Sequence, residues 1–298
     1  MSLVAAIGAL ELGLAYSLLA FGIYISFRIL NIPDLTVDGS FVLGAAVSAM
    51  LTSTGQPVLG IVLAIVAGAA AGCVTAIQQT KLGIAPILSG ILTMTGLYSI
   101  NLLVMGGKAN VPILGKTTIF SMMETATSFT YSKMVLLSFI VILVFIVYNF
   151  FFKTQLGLSI RATGDNEAMV RASSIDTDMA KIVGFAISNA TVALSGAIVA
   201  QMQQSADINM GSGMIVIGLA SLIIGDALLR NRTVLRGLVS VIMGSVVYRI
   251  IIALILTTSL PPSFLKLISA LVVATAISIP NLRVRNGFSR LRIKGDKQ

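Results

Sequence analysis

The chain has 298 residues, of which 56% are hydrophobic and 10% are charged, with a mean hydropathy of +0.99 and a net charge of +9. Soluble domains carry about 25% charged residues, so this composition excludes a soluble globular protein. Because the chain contains no His and a single Cys, Cys73, it also excludes Ser-His or Cys-His nucleophiles, His-ligated metal sites and disulfide frameworks.

Nine apolar runs, most of them long enough to cross a hydrocarbon core, predict an all-α polytopic transmembrane bundle of about 8–10 spans. The transmembrane domain covers 1–282, with one polar loop at about 153–178, and a basic tail covers 283–298. The first run lacks a basic leader and a small-residue cleavage site, so it is predicted to be a span and not a signal peptide. The predicted spans are 3–27, 41–54, 58–78, 84–105, 133–152, 179–202, 213–229, 235–258 and 264–280.

Cationic residues cluster in the polar loop up to Lys181, in the connection 230–236 and in the tail 283–298. By the positive-inside rule these three regions are cytoplasmic. Counting backwards then places the loop 106–132 and the N-terminus outside, although a broken second helix would reverse the side of the N-terminus.

Glu11 and Arg249 are ionisable residues inside predicted spans. At about 1.5 Å per residue, each lies about 12 to 14 Å from the outer end of its span. Because an ionisable group in the membrane is costly unless it is paired, we predict that the two form a structural ion pair, with a place in a substrate site as the alternative.

The stretch from Asn31 to Ser40 contains Pro33, two acids and a glycine between apolar runs, so a helix must be interrupted there. Transporters often place such broken backbone beside a cavity. The alternatives are an ordinary turn in which Asp38 caps the next helix, and interhelical hydrogen bonds for the polar residues of the sixth span. The candidate substrate-pathway residues are Thr36, Asp38, Ser40, Phe41, Tyr98, Ser188 and Asn189.

Gly68 and Gly72 in the third span form a small-residue face that lets two helices approach closely. We predict that this face packs within the chain and does not form a dedicated dimer contact.

The polar loop carries the clearest functional pattern. Thr163 and Gly164 end one element, Asp165 is a natural N-cap, and the residues from Asn166 to Ala172 can form about two helical turns. With Met169 and Val170 exposed, such a helix suits a groove in a partner protein. A self-contained solvated loop is the alternative.

Two parts of the sequence carry a resemblance. The loop pattern comprises Gly157 to Thr163, Gly164 to Ala168, Ser174, Ile175 and Lys181, followed by a helix with Ala193 to Gly196. This pattern resembles the coupling loop of ABC importer permeases of the branched-chain amino acid and ribose type. The run from Asn31 to Ala45 is similar to a subset of that family named for tryptophan and tyrosine transport.

The resemblance implies that the loop helix docks in a cytosolic ABC ATPase dimer, which would hold ATP and Mg, so that no cofactor, metal or catalytic residue is expected on this chain. It also implies a second permease chain, most simply a homodimer, and an extracellular or periplasmic substrate-binding protein. The expected location is the bacterial plasma (inner) membrane, with a cytoplasmic C-terminus, lipid contacts and no nucleic-acid partner. The implied ATPase-coupling residues are Gly164, Asp165, Asn166, Glu167, Ala168, Met169 and Arg171.

A secondary transporter or channel without an ATPase partner is the alternative function, and a membrane-embedded enzyme is a third. The run Gly115 to Thr117 is not a P-loop, because Asn110 stands where the first glycine is required. Phe41, Met94, Tyr98 and Tyr248 would suit a cavity for an aromatic amino acid, but these residue types would serve another amino acid, a nucleoside or a sugar similarly.

Overall fold

A computed structural model describes residues 3–127, 131–229 and 233–256, together with 267, 270, 271 and 273–275. The described chain is a helical bundle with one short two-stranded ribbon. Its α-helices are α1 (Leu3–Ile23), α2 (Val37–Ser53), α3 (Pro57–Thr80), α4 (Pro86–Val104), α5 (Ile119–Thr127), α6 (Ser132–Phe151), α7 (Gln155–Asp165), α8 (Glu167–Ala172), α9 (Thr177–Gln203), α10 (Met214–Leu228) and α11 (Val234–Leu256).

Six of the described helices are long and apolar enough to cross a membrane: α1 with its extension, α3, α4, α6, α9 and α11. Helices α2 and α10 are apolar but shorter. These eight correspond to the first eight predicted spans and confirm the all-α polytopic bundle. Most of the ninth predicted span, 264–280, and the whole basic tail, 283–298, lie outside the described residues.

Helix α1 continues as a π-helical turn from Tyr24 to Ile29 and then ends. Two residues further on, Asn31 has a φ of 56°, in the left-handed region that asparagine tolerates better than most residues. The chain therefore turns sharply and enters the non-helical segment 31–36, called the break below.

Helix α9 is the centre of the bundle and packs against α1, α2 and α3. A Cβ added at Gly44 of α2 would overlap the backbone of Ala193, and one added at Gly68 or Gly72 of α3 would overlap the backbone of Asn189 or Phe185. Small residues allow the helix backbones to approach this closely. Because no hydrophobic driving force brings helices together in lipid, van der Waals packing between them stabilises the bundle. The predicted intramolecular role of Gly68 and Gly72 is confirmed.

The two ends of α9 carry different structures. At one end, β1 (Asn110–Pro112) pairs antiparallel with β2 (Ser205–Asp207), with Val111 opposite Ala206. We call this the ribbon side. Helices α7 and α8 precede the other end of α9, and we call that the elbow side.

Near the ribbon side, Gln201 joins three helices and is 1% exposed. Its amide oxygen accepts from the Ile119 N–H of α5 at 3.0 Å, and its amide nitrogen donates to Ser48 Oγ of α2 at 2.9 Å and to the Pro57 carbonyl of α3 at 3.0 Å. The buried side chain thus satisfies the Ile119 N–H at the start of α5, where backbone donors lack intrahelical partners, and it also bonds the carbonyl of Pro57.

The break rises into the middle of the bundle. Asn189 is the thirteenth residue of the 27 in α9, and its side chain bonds both Asp34 and Ser40. Helix α2 therefore begins at mid-bundle and runs to the ribbon side. From Asp34 onward, the segment is an interruption buried inside the protein and not a surface turn.

Candidate functional site

The elbow, residues 155–172, consists of α7 and α8 joined at Asn166. The side chain of Thr154 accepts from the Gly157 N–H at 3.2 Å and begins α7, and the side chain of Asn166 accepts from the Met169 N–H at 3.1 Å and begins α8. The prediction that Asp165 caps the helix is wrong. Asp165 is the last residue of α7, and the extended Asn166, with φ −158°, is the residue at which the helix is interrupted.

A chain of ion pairs ties the elbow to α9 and to the α3–α4 turn. Glu167 Oε1 lies 2.7 Å from Lys181 Nζ and 3.1 Å from Arg171 Nη2. Arg171 Nη2 also lies 3.1 Å from Asp178 Oδ1, and Asp178 Oδ2 lies 3.3 Å from Lys81 Nζ. The hydrogen bond from Lys181, reinforced by the positive charges of Lys181 and Arg171, lowers the pKa of Glu167. The Glu167 carboxylate is therefore ionised at neutral pH. We call the linked residues Lys181, Glu167, Arg171, Asp178 and Lys81 the charge chain.

The tip of the elbow exposes Asp165, Asn166, Ala168 and Arg171 together with Met169, which is 60% exposed. The predicted exposure of Val170 is wrong, because this side chain is buried on the opposite face of α8. Five of the seven predicted coupling residues are therefore exposed at the tip, whereas Gly164 and Glu167 are half-buried.

Gly164 places the elbow against the end of the π-helical turn. A Cβ at this position would overlap the carbonyl oxygen of Ile29 and crowd Leu30. Helix α7 is therefore in direct contact with the residues that precede the break.

A hydrogen-bonded network surrounds the break. Asp34 Oδ1 accepts from the Thr36 N–H at 2.9 Å and Oδ2 from Asn189 Nδ2 at 2.8 Å, while Ser40 Oγ donates to Asn189 Oδ1 at 2.7 Å. The hydroxyls of Thr36 and Thr75 lie 2.8 Å apart. All five residues are buried, so the network satisfies polar groups that would be costly if left unpaired in the bundle. Thr36, Ser40 and Asn189 were pathway candidates, whereas Asp34 and Thr75 were not.

Asp38 joins the starts of α2 and α10. Its Oδ2 accepts from the Gly213 N–H at 2.9 Å and its Oδ1 from the Ile215 N–H at 2.8 Å. Gly213 is the N-cap of α10 and supplies no side-chain cap. Asp38 lies within the first turn of α2, so the helix that it caps is the distant α10. The alternative in which Asp38 caps α2, the next helix in the chain, is therefore wrong.

A cavity of about 370 Å³ lies beside Asp38, between α2, α4 and the loop that leads to α10. Asn101 forms part of its wall; the side-chain nitrogen donates to the Gly39 carbonyl at 3.1 Å, and the buried Oδ1 has no partner among the described residues. The cavity is lined by Asp38, Gly39, Val42, Met94, Thr95, Tyr98, Asn101, Ile208, Asn209, Gly211 and Ser212.

Nine residues are predicted for the pathway or the cavity wall, and three of them, Asp38, Met94 and Tyr98, meet in this cavity. Thr36, Ser40 and Asn189 belong instead to the network around the break, and the other three lie elsewhere. Phe41 is fully buried and stacks on Tyr16, with ring centroids 6.2 Å apart. Ser188 donates to the Gly22 carbonyl at 2.7 Å, which is the interhelical bond given above as its alternative role. Tyr248 is buried with Ala220 and Ile252. These three side chains belong to the core.

The predicted ion pair between Glu11 and Arg249 is not formed among the described residues. The guanidinium of Arg249 instead lies over the ring of Tyr16, with its central carbon 4.2 Å from the ring centroid. A cation over an aromatic face is stabilised by the ring quadrupole. This contact directs the guanidinium toward Tyr16, although its Nε remains without a hydrogen-bond partner in this part of the chain.

Comparisons with known proteins agree with this architecture. Residues 5–277 match the family described as the permease component of branched-chain amino acid transport systems. The chain is 37% identical to a tyrosine transport system permease protein of Clostridioides difficile (strain R20291) over 279 residues, which are 93% of this chain and 92% of that protein. It is 34% identical to the uncharacterized protein RP368 of Rickettsia prowazekii (strain Madrid E) over 276 residues, which are 91% and 96% of the two chains. No solved structure matches significantly.

Proposed function

We propose that this chain, which belongs to the family of permease components of branched-chain amino acid transport systems, is the membrane subunit of an ATP-driven importer of an aromatic amino acid. The observation that carries the proposal is the elbow. It projects from a multi-pass bundle, exposes Met169 at its tip, and is tied by Glu167 to α9 and by Gly164 to the end of the π-helical turn.

The partners follow from this proposal. Two copies of the chain form the membrane unit, and a cytosolic ABC ATPase dimer holding ATP and Mg binds the two elbows. An extracellular or periplasmic binding protein delivers the solute to the ribbon side. Closure of the ATPase dimer displaces α8, and the charge chain carries that displacement to α9 and to the turn at Lys81.

The elbow side is the cytoplasmic side in this proposal, and the protein lies in the bacterial plasma (inner) membrane. The connection 230–236 and the tail 283–298 are rich in Lys and Arg, which favours a cytoplasmic location for both and hence a cytoplasmic C-terminus.

Support for an aromatic substrate comes from two observations. One relative is named for tyrosine transport. The cavity beside Asp38 falls within the range of about 300–1,000 Å³ that is usual for small-molecule sites, and Met94, Tyr98, Val42 and Ile208 give it apolar walls around a few polar groups.

Reconstitution tests the proposal. Proteoliposomes are prepared with the chain, an ATPase that co-purifies with it and the binding protein. They should accumulate labelled tyrosine or tryptophan only when ATP is present on the side of the membrane where the elbow lies. Liposomes with the chain alone should not. Uptake at full rate by the chain alone would instead establish a secondary transporter or channel.

A matched pair of variants then locates the ATPase contact. Met169→Lys should abolish co-purification of the ATPase, because it places a charge at the exposed apolar tip. Leu114→Lys makes the same change at a residue that is 80% exposed on the ribbon side and should have no effect on ATPase binding. Equal binding by both variants would contradict docking at α8.

A further inference from the structure

We propose that Asp38 and Asn101 form an ammonium-binding site in the wall of the cavity, where they hold the amino group of the transported solute. This inference rests on the proposed function, since it identifies which part of an amino acid the membrane subunit itself recognises.

Asn101 supplies an acceptor that the described structure leaves unused. The residue is 1% exposed, its side-chain nitrogen is engaged by Gly39, and its Oδ1 has no partner in this part of the chain. A buried acceptor without a partner destabilises the folded protein. A ligand that donates a hydrogen bond here removes that destabilisation, so the position favours donors over acceptors.

Asp38 supplies the negative charge. Its oxygens accept the N–H groups of Gly213 and Ile215, and the Met214 N–H also bonds the carboxylate. A carboxylate offers about four acceptor positions, so one remains for a ligand. None of the ion pairs among the described residues involves Asp38. The positive end of the α10 dipole balances only part of the charge, which leaves the carboxylate able to bind a cation.

Asp38 and Asn101 both line the cavity. The Asn101 amide donates to the carbonyl of Gly39, the residue that follows Asp38. A primary ammonium has three donors and no acceptor, so it can satisfy Asp38 and Asn101 at once. The hydrogen bond from Asn101 to Gly39 fixes the position of Asn101 relative to the first turn of α2.

The remaining walls select an organic cation over a metal ion. Val42, Met94, Tyr98 and Ile208 are apolar or aromatic, and the described lining contains no Lys or Arg that would compete for Asp38. A metal ion would require several oxygen ligands around it. An ammonium attached to an apolar or aromatic body suits a cavity with two acceptors at one wall.

Thiol labelling tests this site without any transport assay. In the full chain in nanodiscs, Cys73→Ala removes the only cysteine and Thr95→Cys places a thiol in the cavity wall. The rates of modification by methanethiosulfonate ethylammonium and by methanethiosulfonate ethylsulfonate are then compared. The ratio of cationic to anionic rates should fall at least about tenfold with Asn101→Leu, as expected when one charge-assisted hydrogen bond is lost.

Two further variants keep the test decisive. Thr93→Val changes a buried residue of the same helix that lies outside this cavity, and it should leave the ratio unchanged. Asn101→Asp keeps the shape and adds a charge, so it should raise the ratio even where Asn101→Leu fails to fold. An unchanged ratio in Asn101→Asp, or in a folded Asn101→Leu, would overturn the site.

Ligand protection identifies the group that binds. Tyramine has the amino group of tyrosine without its carboxylate, and 3-(4-hydroxyphenyl)propionate has the carboxylate without the amino group. Tyramine should slow modification of the Thr95→Cys thiol and should lose this effect in Asn101→Leu. Equal protection by the propionate would refute ammonium recognition. Because neither measurement requires ATP, loss of ATP-driven uptake would count against the proposed function alone.

Discussion

The ammonium group of Lys181 lies 2.7 Å from the carboxylate of Glu167, and this contact joins the exposed helix α8 to α9, the central helix of the bundle. The Lys181 side chain is 16% exposed and the Glu167 side chain 38% exposed, so the pair is more shielded than a typical surface ion pair. Glu167 also pairs with Arg171, so it is the residue that links Lys181 of α9 to the rest of the charge chain.

Reversing the charge at Glu167 should uncouple transport from ATP hydrolysis. Glu167→Lys places a third cation beside Arg171 and Lys181, so α8 separates from α9 while the membrane helices keep their packing. We expect uptake to fall about tenfold, within the usual 5–150-fold range of coupling between sites, while ATP hydrolysis continues. The number of ATP molecules hydrolysed per solute measures the effect. Glu124→Lys, an exposed acid on α5, is the control and should leave this number unchanged.

The elbow should remain ordered at a pH where glutamates usually begin to protonate. The Lys181 hydrogen bond lowers the pKa of Glu167 below the ordinary value of about 4.3. A lowered pKa in the folded state gives stability that is present above the ordinary value and lost as the pH falls through the lowered one. A spin label at Met169→Cys in a Cys73→Ala background should therefore become mobile only below the ordinary value. Lys181→Met should shift that transition to higher pH, and an identical transition in both proteins would contradict the assignment.

A side chain at Gly164 should weaken the contact between the elbow and the π-helical turn. The Cβ of Gly164→Val would overlap the Ile29 carbonyl, so α7 must move away, at a cost of about 1–3 kcal/mol, as for other overpacked sites. Thermal unfolding in detergent measures this loss. Gly96→Ala on α4 has open space around the added methyl and should retain or slightly raise the melting temperature. Similar melting temperatures for the wild type and Gly164→Val would refute the close contact.

Removing the Asp38 carboxylate should loosen the start of α10. Asp38→Ala leaves the Gly213 and Ile215 N–H groups without their acceptors, which should cost about 1–2 kcal/mol, as for loss of other helix caps. Hydrogen exchange in the first turn of α10 should accelerate about tenfold as a result. Asp207→Ala on β2 is the control, and unchanged exchange at residues 213–215 in Asp38→Ala would show that another group caps the helix.

Much of the bundle can be predicted from the sequence because polar segments clearly separate the apolar runs. Pro33 and the acids around it mark the break, and the polar residues between Thr154 and Asp178 stand out in an apolar chain. The N-cap of α8 is missed by one residue, since Asp165 and Asn166 are both good caps and only the packing of α7 decides between them.

The contents of the cavity could not be predicted in the same way. Asp38 bonds residues 175 and 177 positions away, and Asp34 bonds Asn189 at a separation of 155. Phe41 and Ser188 are predicted pathway residues that lie in the core, and a span that is apolar on every face does not reveal which of its faces is the core. Asn101 was missed although it is a polar residue in an apolar span, which is itself a signal of function in a membrane protein.

Helix α9 extends without interruption over 27 residues, or about 40 Å at 1.5 Å per residue. It meets Glu167 through Lys181 near one end and holds α2, α3 and α5 through Gln201 near the other. A tilt imposed at the Lys181 end of this uninterrupted helix would therefore displace its Gln201 end sideways, so α9 would transmit movement across the bundle.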